Sequence, residues 1–329
     1  MGAGLHGYNG VNPKVGIKIW NCFVKPRMIF GLEFLTPRKQ DLYKLNQYHK
    51  KVLKQLMSLP ERTADAAVYI LSGEIPIEAD VDKKILSQLM NIFRGGGIEK
   101  EIALRQLAMK DKNSNSWFIY AAKTLEKYDL PSIYDLIEDP VSKEKWKQIV
   151  KSAVNTKWIG IIKLQAKGKS SMKYISDDQY KAGRVHFIWQ DVSDDTLAVK
   201  KAGIKAKLIS GGYQLQENIF KQNKKIEKAR CKLCNQEDED IYHFILGCAV
   251  LSEVRKNFME KIYLLLESKG LKNFYKINQR LMLQLILDVK SPLTPLQLHY
   301  EHDTHEIESI SRGLIYALHS RRMALLKDE

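Results

Sequence analysis

The chain has 329 residues, 44% of them hydrophobic, which is enough for two or three packed domains and excludes wholesale disorder. Its formal net charge of +15 predicts a polyanionic partner, and nucleic acid fits better than a membrane because no apolar run approaches the ~20 residues of a bilayer-spanning helix. The first ten residues lack an apolar signal-peptide core. We therefore expect an intracellular protein, nuclear or cytoplasmic, whose four cysteines are thiols or metal ligands rather than disulfides.

Apolar residues recur at helical spacing along most of the chain. The first clear helix spans Gln40–Leu59 and ends before Pro60, which has no N–H to donate. Lysines occupy another face of it: Lys44, Lys51 and Lys54. Its apolar face contains Leu42, Leu45, His49, Val52, Leu53, Leu56 and Leu59.

Further helices are predicted on both sides of the Gly95-Gly96-Gly97 hinge. Since strand signals are few, we expect a mainly α fold. We divide it into residues 1–95, a helical region, residues 96–195, a helical connector, and residues 196–329, a basic segment with a small metal module and C-terminal helices. The other predicted helices are Thr63–Leu71, Asp80–Phe93, Trp117–Tyr128, one from Ser142 with Trp146 and Val150 buried, one through Leu251, Phe258 and Ile262, and Thr304–Leu326, capped by Asp303 and Glu306.

The sharpest motif is Cys231-Lys-Leu-Cys234, followed by eight residues, His243, four residues and Cys248. Three thiolates and an imidazole at this spacing suit one tetrahedral Zn²⁺ ion. On a regular helix, residues five apart point in different directions, so we expect Gly247 to end the helix in a left-handed turn that returns Cys248 towards His243.

Two other interpretations of these residues compete with zinc binding. Buried thiols beside a core histidine would give the same composition, but three of the four cysteines lie within eighteen residues at ligand spacing. A redox Cys-x-x-Cys pair would need a thioredoxin-like strand and helix around it. Four protein ligands imply a closed, structural site rather than a catalytic one. Cys22, in an apolar run, is predicted to be a core thiol.

The segment that leads into this motif is strongly basic. Residues 200–232 contain ten Lys or Arg and two Glu, a net charge of +8, whereas the acidic run at 237–240 is expected to face away from phosphate. Tyr213 and Phe220 lie among these charges and are candidates to stack on unpaired bases. The candidate phosphate contacts are Lys205, Lys207, Lys221, Lys224, Lys225, Lys228, Arg230 and Lys232, with Lys44, Lys51 and Lys54 as a second basic face. The alternative is a solvated helix face with core aromatics.

Several segments resemble the C-terminal, post-palm part of LINE-type (non-LTR retrotransposon) reverse transcriptases. Ala206–Tyr213 resembles the lead-in to that family's zinc knuckle, and Cys231, Cys234, His243 and Cys248 match the knuckle ligands one for one. The segments that resemble the thumb and connector are Leu5–Pro13, Ile19-Trp20, Val24–Glu33, Leu56–Pro60, Ile70–Ile77, Ser116–Phe118, Leu130–Ser132 and Trp146.

The resemblance implies a thumb-like region, a connector and a knuckle that bind element RNA or target DNA, in association with a palm-containing polymerase. The palm and its catalytic aspartates have no counterpart here, so we expect no enzymatic activity. Tyr174-Ile-Ser-Asp177-Asp178 is spaced wrongly for a polymerase aspartate box, and Asp194-Asp195 is predicted to be a turn or helix cap. Asp288, Asp303 and Glu306 lack a nuclease's strand framework. The rival function is a helical protein-interaction scaffold that zinc only holds together.

Overall fold

The computed structural model describes residues 11–222, 228–271, 273, 276, 278–291 and 301–327, and these are mainly helical, as predicted. The α-helices are α1 (Pro13–Ile19), α2 (Lys25–Met28), α3 (Lys39–Leu56), α4 (Asp65–Ser72), α5 (Ile77–Gly95), α6 (Ile98–Met109), α7 (Trp117–Lys127), α8 (Ile133–Glu138), α9 (Lys143–Lys167), α10 (Thr196–Ile209), α11 (Gln216–Gln222), α12 (Ser252–Glu267), α13 (Gln279–Leu287) and α14 (Glu301–Leu325). Trp20–Val24 and His243–Gly247 are π-helical, and Leu32–Phe34, Ser170–Met172, Phe187–Trp189 and Ala249–Leu251 are 3-10 turns.

Extended pairing is limited to two isolated bridges among the described residues. These bridges join Lys181 to Arg184 and Arg230 to Asp238. A helix suited to crossing a lipid bilayer is not found in the described part of the chain.

The predicted helices are present, with shifts of a few residues at their ends. Asp195 caps α10, as predicted, because its carboxylate accepts the N–H of Ala198 at 3.0 Å. The predicted cap of the last helix is wrong. Helix α14 already includes Glu301, so Asp303 lies inside it and pairs with Lys269 at 3.1 Å.

The chain divides into two compact units rather than into three consecutive segments. The knuckle unit comprises the described residues of Met1–Ile17, Leu53–Gly73 and Gln165–Glu329. The helical unit comprises Lys18–Val52 and Glu74–Leu164. The predicted boundaries at 95/96 and 195/196 each fall inside one of these units. Each unit contains segments that are far apart in sequence, which local composition does not indicate.

In the helical unit, α5 is the central element and packs against α6, α7, α8 and the Leu32–Phe34 turn. Its apolar face includes Ile85, Leu86, Leu89 and Phe93, all of them buried. The indole N–H of Trp146 donates to the carbonyl of Leu86 at 2.9 Å. An amphipathic face at 3.6-residue period therefore builds this core, as the sequence indicated.

In the knuckle unit, the end of α4 is fixed to a loop more than one hundred residues later. The N–H of Gly183 donates to the carbonyl of Gly73 at 2.7 Å, and that of His186 to Leu71 at 3.1 Å. Gly73 has a φ of +70°, and a Cβ there would lie 2.2 Å from the carbonyl oxygen of Arg184. Only glycine fits this position, because both the backbone conformation and the close approach exclude a side chain.

Candidate metal centre

The first two candidate ligands, Cys231 and Cys234, lie on a tight turn. The N–H of Asn235 donates to the carbonyl of Cys231 at 2.9 Å, and Asn235 has a φ of 53°. Two further hydrogen bonds close the turn, from the N–H of Cys231 to Glu237 and from that of Glu239 to Ala229, both at 2.8 Å. This geometry directs both sulfurs to one side of the turn.

The other two ligands, His243 and Cys248, lie at the ends of a π turn. The N–H of Cys248 donates to the carbonyl of His243 at 2.7 Å, across five residues. A π turn closes its hydrogen bond one residue later than an α-helix does, which brings residues five apart to the same side. The predicted left-handed turn at Gly247 is therefore wrong: Gly247 has no positive φ, and the widened helix returns Cys248 instead.

The four ligand atoms all lie within 4.8 Å of one another. The sulfurs of Cys231 and Cys248 are 4.0 Å apart, and that of Cys234 is 3.4 Å from Nε2 of His243. A tetrahedral ion with metal–sulfur bonds of about 2.3 Å separates its sulfurs by about 3.8 Å, so these distances fit one ion. No other group of three or more such side chains lies at ligand distance in the described part of the chain.

The surroundings affect the three thiols differently. Burial raises the pKa of Cys231 to about 12 and also raises the pKa of Cys248. Burial acts in the same direction on Cys234, but backbone hydrogen bonds from Gln236 and Glu237 outweigh it and lower the pKa of that thiol to about 7. The turn thus donates hydrogen bonds to a thiolate at Cys234, and a bound dication would stabilise the other two thiolates.

Two acidic residues of the 237–240 run orient His243. Its Nδ1 lies 2.9 Å from Oε2 of Glu237, and its backbone N–H donates to Asp240 at 2.7 Å. A carboxylate on Nδ1 leaves Nε2 free to bind metal and fixes the ring. A Cβ on Gly247 would lie 3.3 Å from this Nδ1, so glycine provides the space for the ring. Residue order alone did not connect this acidic run with the metal ligands.

Two arginines that the sequence pattern did not single out connect the metal cluster to the following helices. From α12, Arg255 donates to the carbonyls of Ile245 at 2.7 Å and Cys248 at 3.0 Å. From α14, Arg322 makes two hydrogen bonds, of 2.6 and 2.8 Å, to the buried carboxylate of Glu239. That carboxylate also accepts the N–H of Gln216 at 2.9 Å. The candidate ligands therefore sit on a framework of buried charge-assisted hydrogen bonds.

Two of the predicted nucleic-acid contacts are core residues, and their prediction is wrong. Lys205 is 0% exposed, and its ammonium contacts Glu308 and Ser311 at 2.7 Å each. Tyr213 is 7% exposed, stacks on Phe244 with ring centroids 5.5 Å apart, and its hydroxyl lies 2.7 Å from Nδ1 of His319. Neither side chain is available to a phosphate or a base, because partners within the fold already occupy its polar atoms.

The remaining basic candidates differ in exposure. Lys228, Arg230 and Lys232 are exposed, and Lys207 is half-buried. Lys221 is exposed and pairs with Glu217, while Phe220 is 42% exposed and could stack on a base. Lys224 and Lys225 lie outside the described residues.

The three lysines of the second predicted basic face also differ in their surroundings. Lys44 and Lys51 are exposed in the helical unit. In the knuckle unit, the ammonium of Lys54 donates to the carbonyl of Glu61 at 2.7 Å and lies 3.8 Å from Asp65. Cys22, predicted to be a core thiol, is exposed, because the π-helical turn around it buries Trp20 instead.

Two of the basic candidates line one cleft of about 630 Å³ in the knuckle unit. Lys207 comes from α10 and Lys232 from the turn between the two cysteines, and His319 and Arg322 of α14 also line it. None of the described lining residues is acidic. Burial lowers the pKa of Lys207, and burial together with the charges of Lys207 and Arg322 lowers that of His319. A bound anion would raise both pKa values, because it stabilises the positively charged forms of Lys207 and His319.

No protein-family model, curated protein or solved structure matches this chain. The resemblance to LINE-type reverse transcriptases therefore rests on the sequence motifs quoted above.

Proposed function

We propose that this chain is a nucleic-acid-binding segment, comparable to the region that follows the palm in LINE-type reverse transcriptases, in which one structural Zn²⁺ ion supports a cationic cleft. The observation that carries the proposal is the cleft between Lys207 and Lys232. The two lysines come from different segments, Lys207 from α10 and Lys232 from the first ligand turn, and no described lining residue of the cleft is acidic. Backbone phosphates of RNA or DNA are the anions that best match such a cleft in a chain of this net charge.

Zinc is the proposed ion because three thiolates and one imidazole form a closed set of four ligands. Such a site has no open position for water, so its role is to hold Cys231 and Cys248 on one framework. The ion thereby positions Lys232, which lies inside the first ligand turn, relative to Lys207 on α10.

The salt dependence of binding tests this proposal. On a single strand, each phosphate neutralised by the protein adds about 0.7 to the slope of log affinity against log salt. The Lys207→Gln/Lys232→Gln double variant should therefore reduce the slope by about 1.4 and weaken all sequences alike, because ammonium–phosphate pairs do not distinguish bases. The matched control is Lys147→Gln/Lys151→Gln, which removes two exposed charges from α9. Equal effects of both pairs would indicate net charge alone and would contradict a site at the cleft.

Further variants test the wider basic segment and the second basic face. Changing Lys221, Lys224, Lys225 and Lys228 together to glutamine should reduce the slope of log affinity against log salt by roughly two to three units if these lysines contact the phosphates. If neither set changes the slope, Lys44 and Lys51 become the next candidates.

One observation favours the rival scaffold function. The helical unit exposes large apolar side chains at Phe23, Phe30 and Phe34, which are 63, 81 and 62% exposed. Contiguous exposed apolar surface marks protein contacts, and these three side chains are the candidates for such a surface in this unit. A wild-type salt slope near zero, with binding of a protein partner instead, would support the scaffold and refute the nucleic-acid proposal.

We also propose that the chain alone neither polymerises nor cuts nucleic acid. Primer extension and plasmid nicking with Mg²⁺ or Mn²⁺ should give no product above a buffer control. Activity that disappears in an Asp177→Asn/Asp178→Asn variant would refute this and restore the aspartate-box interpretation.

A further inference from the structure

A second open cavity, of about 1020 Å³, lies in the knuckle unit and plays no part in the proposed phosphate cleft. The ligand-bearing segment contributes Asp240 and Tyr242 to it, and the start of α13 contributes Arg280. Lys173 and Tyr174 come from the loop that follows α9. Both tyrosines are half-buried, whereas Lys173 and Arg280 are exposed at the rim.

Hydrogen bonds hold the walls of this cavity in place. The buried amide of Gln284 donates to the carbonyl of Tyr174 at 3.1 Å, and the hydroxyl of Tyr242 donates to Gln279. Asp240 is fixed by the N–H of His243 at 2.7 Å. The backbone of Tyr174 and the ring of Tyr242 are therefore held in place before any ligand arrives, which reduces the entropy lost on binding.

The chemistry of the walls suits a base with phosphates beside it. The ammonium of Lys173 lies 5.3 Å from the ring centroid of Tyr174, so a cation and an aromatic face adjoin. Aromatic faces lined by cations are the pattern with which proteins bind unpaired nucleotides without sequence preference. Asp240 repels a phosphate next to it but accepts hydrogen bonds from base amino groups, which places the base inside and the phosphates at the rim.

We propose that this cavity binds an unpaired nucleotide of a single-stranded nucleic acid, with the base stacked on Tyr174 or Tyr242 and the flanking phosphates at Lys173 and Arg280. This inference rests on the proposed function and adds a preference for single strands, because a paired base cannot enter the cavity.

Fluorescence anisotropy with a mixed-sequence ten-nucleotide RNA and a matched duplex tests the inference on the full chain. Alanine at Tyr174 and at Tyr242 should together weaken single-strand binding by about 5- to 150-fold or more, without changing the salt slope. Duplex binding should stay at the wild-type level. Tyr174→Phe, which keeps the ring, should bind like wild type. Zinc content and thermal melting of each variant show that it is folded.

Photocrosslinking of the wild type gives a second measurement that needs no variant. A strand that carries 5-iodouridine should crosslink to Tyr174 or Tyr242, identified by mass spectrometry. Crosslinks confined to other residues, together with alanine variants that bind as wild type, would overturn the inference while the effect of the Lys207/Lys232 variant persists. If the proposed function itself were wrong, the wild type would show no salt-dependent binding, and this result distinguishes the two failures.

Discussion

The two units of this protein are stabilised by different chemistry. In the helical unit, the buried carboxylate of Asp82 pairs with Lys127, whose side chain stays 32% exposed. In the knuckle unit, Lys205 and Arg322 are 0 and 6% exposed, and their carboxylate partners are buried as well. A partly hydrated pair can lose one member at modest cost, whereas a fully buried pair cannot. This pair of the helical unit thus remains open to water, whereas the knuckle unit buries both members of its pairs and also contains the four candidate metal ligands.

Removing zinc should produce the largest difference between the units. Structural zinc contributes about 10–16 kcal/mol of apparent binding free energy in small peptides, so chelation should unfold the segment around residues 229–251. Hydrogen exchange should rise there, while residues 74–164 keep their protection. Elemental analysis should give one zinc per chain, and Cys231→Ser or Cys248→Ser should lose it.

Cys22→Ser is the matched control for these variants, because Cys22 is an exposed thiol outside the cluster. Less than half an equivalent of zinc in wild type, or unchanged zinc in both ligand variants, would contradict the metal site.

The buried pair of Lys205 and Glu308 provides the next comparison. Lys205→Ala removes the partner that lies 2.7 Å from the buried carboxylate of Glu308 and leaves only Arg312, at 3.9 Å, and we expect a loss of about 3–5 kcal/mol in the free energy of unfolding. Lys127→Ala in the helical unit should cost less, since water reaches that site. Urea unfolding measures both. A Lys205→Met/Glu308→Leu/Arg312→Met variant, which also removes the second cation beside Glu308, should recover most of the stability, and failure to recover would mean that these buried charges are not the cause.

Acid should weaken the helical unit through His49. Burial and then the charge of Lys25 lower the pKa of this histidine to about 3, and its Nδ1 accepts the indole N–H of Trp20 at 3.1 Å. In the unfolded chain, His49 takes up a proton near pH 6.5. Its contribution to the free energy of unfolding is therefore fully present above that pH and is lost as the pH falls towards 3, with a loss of about 2 kcal/mol at pH 5.

Hydrogen exchange of residues 39–52 between pH 7 and 5 measures this loss, and His49→Gln, which keeps an acceptor but does not titrate, should remove it. The same loss in the variant would assign the pH dependence to other groups.

A smaller effect is expected from the carboxylate that orients His243. Glu237→Gln should weaken zinc binding about 10- to 100-fold, because the ring loses its charged hydrogen-bond partner. Asp238→Asn, at the neighbouring exposed position, is the matched control and should leave zinc affinity unchanged. Competition with a fluorescent chelator measures both, and equal affinities of the two variants would exclude this role of Glu237.

The comparison also separates what sequence could and could not predict. Local periodicity predicted the helices of both units, and ligand type and spacing predicted the cluster of Cys231, Cys234, His243 and Cys248. The π turn at His243–Gly247 left no signal in the residue pattern. The high charge density of the basic segment led to the wrong prediction that Lys205 contacts phosphate, because its partner Glu308 lies 103 residues later. Arg322 was missed for the same reason, since pairing with Glu239 spans 83 residues that local patterns do not connect.

The discontinuous knuckle unit has a consequence for biosynthesis. The carbonyls of Leu71 and Gly73 bond to residues more than one hundred positions later, so α4 leaves the ribosome well before its partners. At roughly 5–20 residues per second, these two carbonyls wait about 6–20 s for those donors. The helical unit's second segment, residues 74–164, is made entirely within this interval and can pack first. During translation, α4 is therefore expected to benefit from a chaperone that holds it until the later segment is made.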